Sequence, residues 1–334
     1  MVKTTNIGHK NYRDYKNYSA LFARATAILL MTLLVVTAAF AAPPTKKKGD
    51  GKTTIRVTDL RTERMTRPMS IDTPTPRLGW VIDTDKKDVM QTAYHLIVAS
   101  TKEKAEALEG DFWDVEVTSD QSQWVKYAGK TLRGNTRCYW RVKVTTTQGE
   151  SDWSDIAMWN VGLLTEAEWQ GQWIGYDHAM PWDIEEEHSQ LSARYLRTTF
   201  DTGGDIRQAT LYISGLGMYE AFIDGKKIDL DANGSRQVFA PCPTDYRKTV
   251  LYNAFDVTEI LNGGMTTHAI AVVLGNGRYY TMQQNKKPYK INQFGYPKLR
   301  ANLIIEYADG KRKVVSTNDK WKINLDGPIR SNNE

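Results

Sequence analysis

Residues 137–144 read Arg137-Cys138-Tyr139-Trp140-Arg141-Val142-Lys143-Val144, and their alternation decides the fold. Cys138, Trp140, Val142 and Val144 fall on one face of an extended chain, and the charged residues fall on the other. A period of two is the mark of a strand with one face in a core and one toward water. Outward from it, 94–100 (YHLIVAS) and 158–161 (MWNV) complete a first set of strands. A second set begins at 195–200 and continues at 209–214, 219–223, 269–274 and 299–307. Asp224-Gly225 turns one of these strands into 226–228, and Asp309-Gly310 turns another into 313–316. Asp-Gly suits a tight hairpin because both positions tolerate positive φ. Only 101–108 (TKEKAEAL), with Thr101 as cap, offers a short helix. The expected fold is therefore all-β, two β-sandwich modules with a boundary between Leu163 and Tyr176, and no short-period repeat.

A length of 334 residues allows about two domains. Hydrophobic residues at 41% and charged residues at 25% are the balance of a globular chain. The formal charge of +5 is concentrated at the front: residues 1–41 hold Lys3, Lys10, Arg13, Lys16 and Arg24 against Asp14. That leaves about +1 for everything after them, so a basic face for nucleic acid is not expected. Residues 25–40 (ATAILLMTLLVVTAAF) carry no charge and end in the small-x-small pattern Ala39-Phe40-Ala41. The reading is a signal peptide over 1–41, cut after Ala41, with export to the periplasm or the exterior. The alternative is an uncleaved anchor, for which the run is a little short. No cysteine follows it to take a lipid, so the membrane is a partner only through the export signal. Residues 42–52 include Lys46-Lys47-Lys48 and read as a solvated linker.

Two ordered series of motifs follow. The first is Pro76-Arg77-Leu78-Gly79-Trp80, Gln91-Thr92-Ala93-Tyr94, Trp113-Asp114, Tyr139-Trp140-Arg141-Val142 and Ser151-Asp152-Trp153-Ser154. It resembles the fibronectin-type-III-like module at the front of bacterial α-L-rhamnosidases, glycoside hydrolase family 78. The second is Leu216-Gly217-Met218-Tyr219-Glu220, Ile223-Asp224-Gly225-Lys226, Pro243-Thr244-Asp245-Tyr246, Phe255-Asp256-Val257-Thr258 and Leu274-Gly275-Asn276-Gly277-Arg278-Tyr279-Tyr280. It is similar to the jelly-roll-like N-terminal domain of the same family. The resemblance implies modules at 53–164 and 165–334. It also implies that the catalytic (α/α)6 barrel, with its carboxylates, is not in this sequence, because no such helical periodicity is present. The family would remove terminal α-L-rhamnose with inversion, which needs an acid and a base roughly 6.5–9.5 Å apart. The expectation is an accessory region, inactive alone, with rhamnose-containing glycans and a missing or separate catalytic domain as partners. A standalone rhamnose-binding module, a structural or adhesive sandwich protein and a gene fragment are the alternatives.

Single residues carry less. Asp183, Glu185, Glu186 and Glu187 form the densest acidic run and read as a solvated inter-module loop, not a catalytic pair. Trp153, Trp159, Trp169, Trp173 and Trp182 suit either a sugar platform or a core and module interface, and the second use is the commoner one. Gly275-Asn276-Gly277 suits a sharp turn. Carbohydrate contacts are expected at Asp224, Asn276 and Tyr279. A calcium ion, the one cofactor considered, would draw on Asp224, Asp229, Asp231, Asn233, Asp245 and Asn276, although their spacing selects no set. Cys138 and Cys242 fall in different modules, so a disulfide between them is not expected. His9, His95, His178, His188 and His268 lack metal-ligand spacing. No catalytic residue is assigned.

Overall fold

In strand β6 (Arg137–Thr146) half-buried and buried positions alternate without a break across ten residues. The computed structural model describes residues 55–184, 191–238, 240–280 and 294–331. The expected signal peptide at 1–41, the linker at 42–52, His9, His188 and the acidic residues Glu185, Glu186 and Glu187 lie outside them. Among the described residues no helix is long and apolar enough to cross a membrane.

β6 pairs antiparallel with β3 (Gln91–Ala99) and with β8 (Ala157–Asn160), and β3 pairs with β4 (Trp113–Thr118). The facing sheet runs β1 (Arg56–Thr62), β2 (Arg77–Asp83), β5 (Val125–Lys126). Between them lies one core in which Trp80, Leu96, Trp140, Val142 and Trp159 have no exposed surface. A buried indole N–H usually finds a partner, and Trp80 Nε1 donates to Gln91 Oε1 at 3.0 Å, whereas Trp140 Nε1 and Trp159 Nε1 have none. Cys138 faces this core with a free thiol, pushed well up by burial, while Cys242 is exposed and also free.

The one helix expected from sequence is α1 (Lys102–Glu106), whose Lys104 N–H donates to the Thr101 hydroxyl. Asp111 fastens it: its carboxylate accepts from Ser100 N and Oγ at 2.7 Å each and from Lys104 Nζ at 2.6 Å. Burial pulls the Asp111 carboxyl upward, but Lys104 and Ser100 together outweigh burial and hold it below the usual carboxylate range. A depressed folded-state pKa contributes stability above the unfolded value near ~4 that is lost as pH falls through the folded value. Asp111→Ala is expected to lower stability by about 1–3 kcal/mol at neutral pH. In urea titrations the difference from the parent chain should shrink as the pH falls below about 4. A difference independent of pH would count against an ionic role.

The second sandwich has two sheets. One runs β13 (Lys226–Ile228), β12 (Met218–Ile223), β15 (Thr267–Gly275), β10 (Arg194–Asp201), β18 (Lys322–Asn324). The other runs β14 (Asn253–Asp256), β11 (Ile206–Leu216), β16 (Lys298–Tyr307), β17 (Arg312–Ser316), with β9 (Ile174–Gly175) beside β16. Leu211, Ile213, Ala221, Ile223, Val272, Leu274, Leu303 and Ile305 fill the space between. The two Asp-Gly hairpins differ. Asp224 and Gly225 both take positive φ, 50° and 77°. At the second, only Gly310 does, at 84°, and Tyr307 N donates to Lys311 O, so Ala308-Asp309-Gly310 makes a three-residue loop. A helix of one turn, α2 (Thr258–Leu261), was not foreseen from sequence, being too short to show a period.

The sandwiches are joined by a buried polar knot. Tyr212 of β11, fully buried, accepts from Asn160 Nδ2 at 2.8 Å and donates to Asn135 Oδ1 at 2.9 Å. Asn135 Nδ2 donates to Glu306 Oε1 at 3.0 Å. Leu163 and Ile304 pack around Tyr212, with Trp169 and Tyr252 at the margin. Glu168, in a 3-10 turn, is shared by all parties. Its carboxylate accepts from the backbone N–H groups of Gly134, Leu164 and Thr165, and its carbonyl accepts from Asn302 Nδ2 at 3.0 Å. Arg300 of β16 lies over Trp169, which packs at the margin of this cluster, and 6.0 Å from the ring of Trp173.

Candidate functional site

The turn between β11 and β12 depends on Gly217, at φ 125°: a Cβ there would collide with the carbonyl oxygen of Gly275 at the end of β15. That close approach sets the edge of a groove of about 760 Å³ on the outer face of the β13–β12–β15 sheet. Met218, Val273, Ile228 and Ala240 give it an apolar floor, and Asn276 and Gly277 form one end. Ile329 forms part of the wall, tied there by Ala193 N donating to its carbonyl at 3.0 Å. Two carboxylates reach the groove, Glu220 and Asp229. Each is engaged, Glu220 by Lys227 and Asp229 by Arg236, so the pair does not face a common reacting atom.

Next to Asn276 stands a trio of partly exposed rings. Tyr279 is 5.2 Å from Tyr246 edge-on and 5.8 Å from Phe294 in a near-parallel stack. Burial, and after it the charge of Asp177, raises the Tyr279 hydroxyl above its ordinary value. Asn276 and Tyr279 are thus brought together, as their spacing in one turn requires.

Asp224 is not with them. It sits in the β12–β13 turn, 2.6 Å from His268 Nδ1, and accepts from Ala269 N at 2.8 Å. Ile223 is paired with Ile270 and Met218 with Gly275, so Asp224 and Asn276 lie at opposite ends of β15. At about 3.3 Å per residue that is a separation of about 20 Å. The three expected sugar contacts therefore do not make one site. The oxygen donors considered for calcium are also dispersed. Asp224 faces His268, Asp229 faces Arg236, Asp245 faces Arg247 at 2.9 Å, and Asp231 accepts from Asn233 N and Ser235 N at 2.9 Å each. Among the described residues, no three His, Cys, Asp or Glu side chains are placed to hold a metal.

The reading of Asp183 as a solvated residue is overturned. Its side chain has no exposed surface and lies 3.4 Å from Arg194, itself 1% exposed. Oδ1 accepts from Ser192 N at 2.7 Å and Oδ2 from Met180 N at 2.8 Å. Arg194 donates further to Ser192 and to His178 O. The acidic run hid an ion pair because its partner is eleven residues away, beyond any local pattern. The tryptophans divide. Trp159 is core, and Trp153 stacks edge-on with His95 at 4.8 Å. Trp182 is 40% exposed with Arg330 over its ring at 4.3 Å. Trp124, unnoticed in the sequence, is 42% exposed and has two guanidiniums against its ring, Arg64 at 4.2 Å and Arg77 at 4.4 Å.

Two family models match the chain in succession. One, described as a Rha78A-like N-terminal immunoglobulin domain, covers residues 57–165, and the other, the alpha-L-rhamnosidase N-terminal domain, covers 204–334. An alpha-L-rhamnosidase of Formosa agariphila is 31% identical over 287 residues, 80% of this chain and 29% of that protein. One of Alteromonas sp. is 29% identical over 271 residues, 80% of this chain and 28% of that protein. Among solved structures, the alpha-L-rhamnosidase of Dictyoglumus thermophilum superposes with a TM-score of 0.68 at 31% identity, over 83% of this chain and 30% of that one. The Streptomyces avermitilis enzyme complexed with L-rhamnose gives 0.68 at 21% identity, over 83% and 42%, a likeness of fold. The chain spans less than a third of the length of the curated relatives it matches.

Proposed function

This chain belongs to the α-L-rhamnosidase family through its two N-terminal domains, and from that premise we propose that it is the accessory front of an exported enzyme that removes terminal α-L-rhamnose from glycans. The observation that carries the reading is the order of the two domains, matched one after the other on two sandwiches that share a buried polar knot. A front region braced in this way holds its loops at a fixed angle to whatever follows. Bond cleavage belongs, on this reading, to the portion of the relatives that the chain does not span. Each carboxylate of the groove is held by its own cation, Glu220 by Lys227 and Asp229 by Arg236.

Within the accessory role, the ring of Tyr279 is assigned to sugar contact, and Asn276, 1% exposed, to shaping the turn that presents it. The partly exposed rings of Tyr279, Tyr246 and Phe294 offer apolar faces of the kind that sugars stack on. Asp224, at the far end of the sheet, is left out of that contact. The +4 leader and its apolar run support export.

The purified chain is expected to release no nitrophenol from 4-nitrophenyl α-L-rhamnopyranoside above the spontaneous rate. A chimaera in which it replaces the matching region of the Formosa agariphila relative is expected to hydrolyse the same compound at a rate within about tenfold of that relative, a difference of about 1.4 kcal/mol or less. A folded but inactive chimaera, or turnover by the chain alone, would each refute the assignment.

A further inference from the structure

A second cavity, a cleft of about 530 Å³, opens between the two sandwiches, away from Asn276 and Tyr279. Domain interfaces are where ligand pockets of this size commonly form. At its floor lies Arg137, the first residue of β6, with a side chain only 8% exposed. One nitrogen, Nη1, donates to Asp256 Oδ2 at 2.7 Å across the junction, and Nε and Nη2 have no acceptor. Buried donors of a charged group are costly to leave unpaired. Arg67 on the first sandwich and Glu259 on the second line the same cleft, and among the described residues neither side chain has a partner. Asp231 also lines it, with Oδ1 taken by two backbone N–H groups. Met69 and Met158, both nearly buried, supply an apolar patch.

The lining is mixed in sign, and that selects the ligand. An anion drawn to Arg67 and Arg137 would meet Asp231, Asp256 and Glu259, and a cation would meet the guanidinium groups. A guanidinium only donates and an ionised carboxylate only accepts, whereas a hydroxyl does both. A neutral molecule with adjacent hydroxyls and C–H faces satisfies the whole lining at once. We propose that the inter-module cleft binds a neutral saccharide, with Arg67 donating to it and Glu259 accepting from it from opposite walls. Binding in the cleft needs neither hydrolysis nor the sugar contact assigned to Tyr279.

The test is saturation-transfer NMR and titration calorimetry on the whole chain, with cellobiose and L-rhamnose as neutral probes and D-glucuronate as the anionic control. The expected result is millimolar binding of at least one neutral probe and weaker binding of D-glucuronate. Arg67→Ala and Glu259→Gln, both exposed positions, should each weaken the neutral probe about tenfold. Tyr279→Ala should leave it unchanged. No binding of either neutral probe overturns the proposal, as does D-glucuronate binding more tightly than both. Neutral binding that survives both cleft variants overturns it too, and if that binding is lost in Tyr279→Ala, the sugar site lies at the ring trio instead.

Discussion

Asp183→Ala is expected to lower the stability of the second sandwich by about 3–5 kcal/mol, the cost of leaving a buried charge without its partner. The substitution removes the acceptor of two backbone N–H groups, Met180 and Ser192, as well as the anion beside Arg194. Arg194 cannot move its charge into water, because its side chain is 1% exposed and its Nη atoms are fixed to Ser192 and His178. Arg194→Met should cost a similar amount for the mirror-image reason. The double variant Asp183→Leu with Arg194→Met should cost less than the sum of the two, because no unpaired charge remains. Urea denaturation followed by tryptophan fluorescence measures all three. Additive losses would show that the two side chains act separately.

Tyr212→Ala is the second large effect. Deleting a fully buried aromatic side chain costs about 3–5 kcal/mol, and Tyr212 also satisfies one polar atom on each of Asn135 and Asn160. Tyr212→Phe keeps the ring and removes only the hydroxyl, leaving Asn135 Oδ1 without its donor while Asn160 Nδ2 still donates to the carbonyls of Met69 and Val161, for about 1–3 kcal/mol. Burial raises the Tyr212 hydroxyl far above its ordinary range, so it stays a neutral donor throughout the accessible pH range. The two variants also differ in cooperativity. The parent chain and Tyr212→Phe should unfold in one transition. Tyr212→Ala should show two, as the sandwiches lose their shared contact and melt apart. A single transition in Tyr212→Ala would mean that Glu168 and the Ser70–Tyr252 hydrogen bond of 2.9 Å suffice to couple them.

What was legible in the sequence was whatever has a short period or a local signal. β6 announced itself because alternation needs only eight residues, and Asp224-Gly225 because its turn chemistry is local. The short strands β5, β7 (Gly149–Glu150), β9 and β18 were invisible, since two or three residues carry no period. Pairings across the fold were invisible for a different reason. Tyr212 meets Asn160 over fifty-two positions, and Arg137 meets Asp256 over 119. No pattern in a single chain reports such distances. The same limit explains the candidate site. Asn276 and Tyr279 stayed together because they share a turn, while Asp224 was grouped with them by residue type and lies at the other end of β15.

Glu168 falls between the two domain matches, after residue 165 and before 204. Yet its one carboxylate serves Gly134 in the first sandwich and the connector at Leu164 and Thr165, and its carbonyl serves Asn302 in the second. The connector is thus a keystone with mates on both sides. A gene rearrangement that cut after residue 165 would part the carboxylate from Gly134, Leu164 and Thr165, and one that cut before residue 204 would part the carbonyl from Asn302. A transplant of the two domains is therefore expected to keep these contacts only when the residues that lie between them move with the pair.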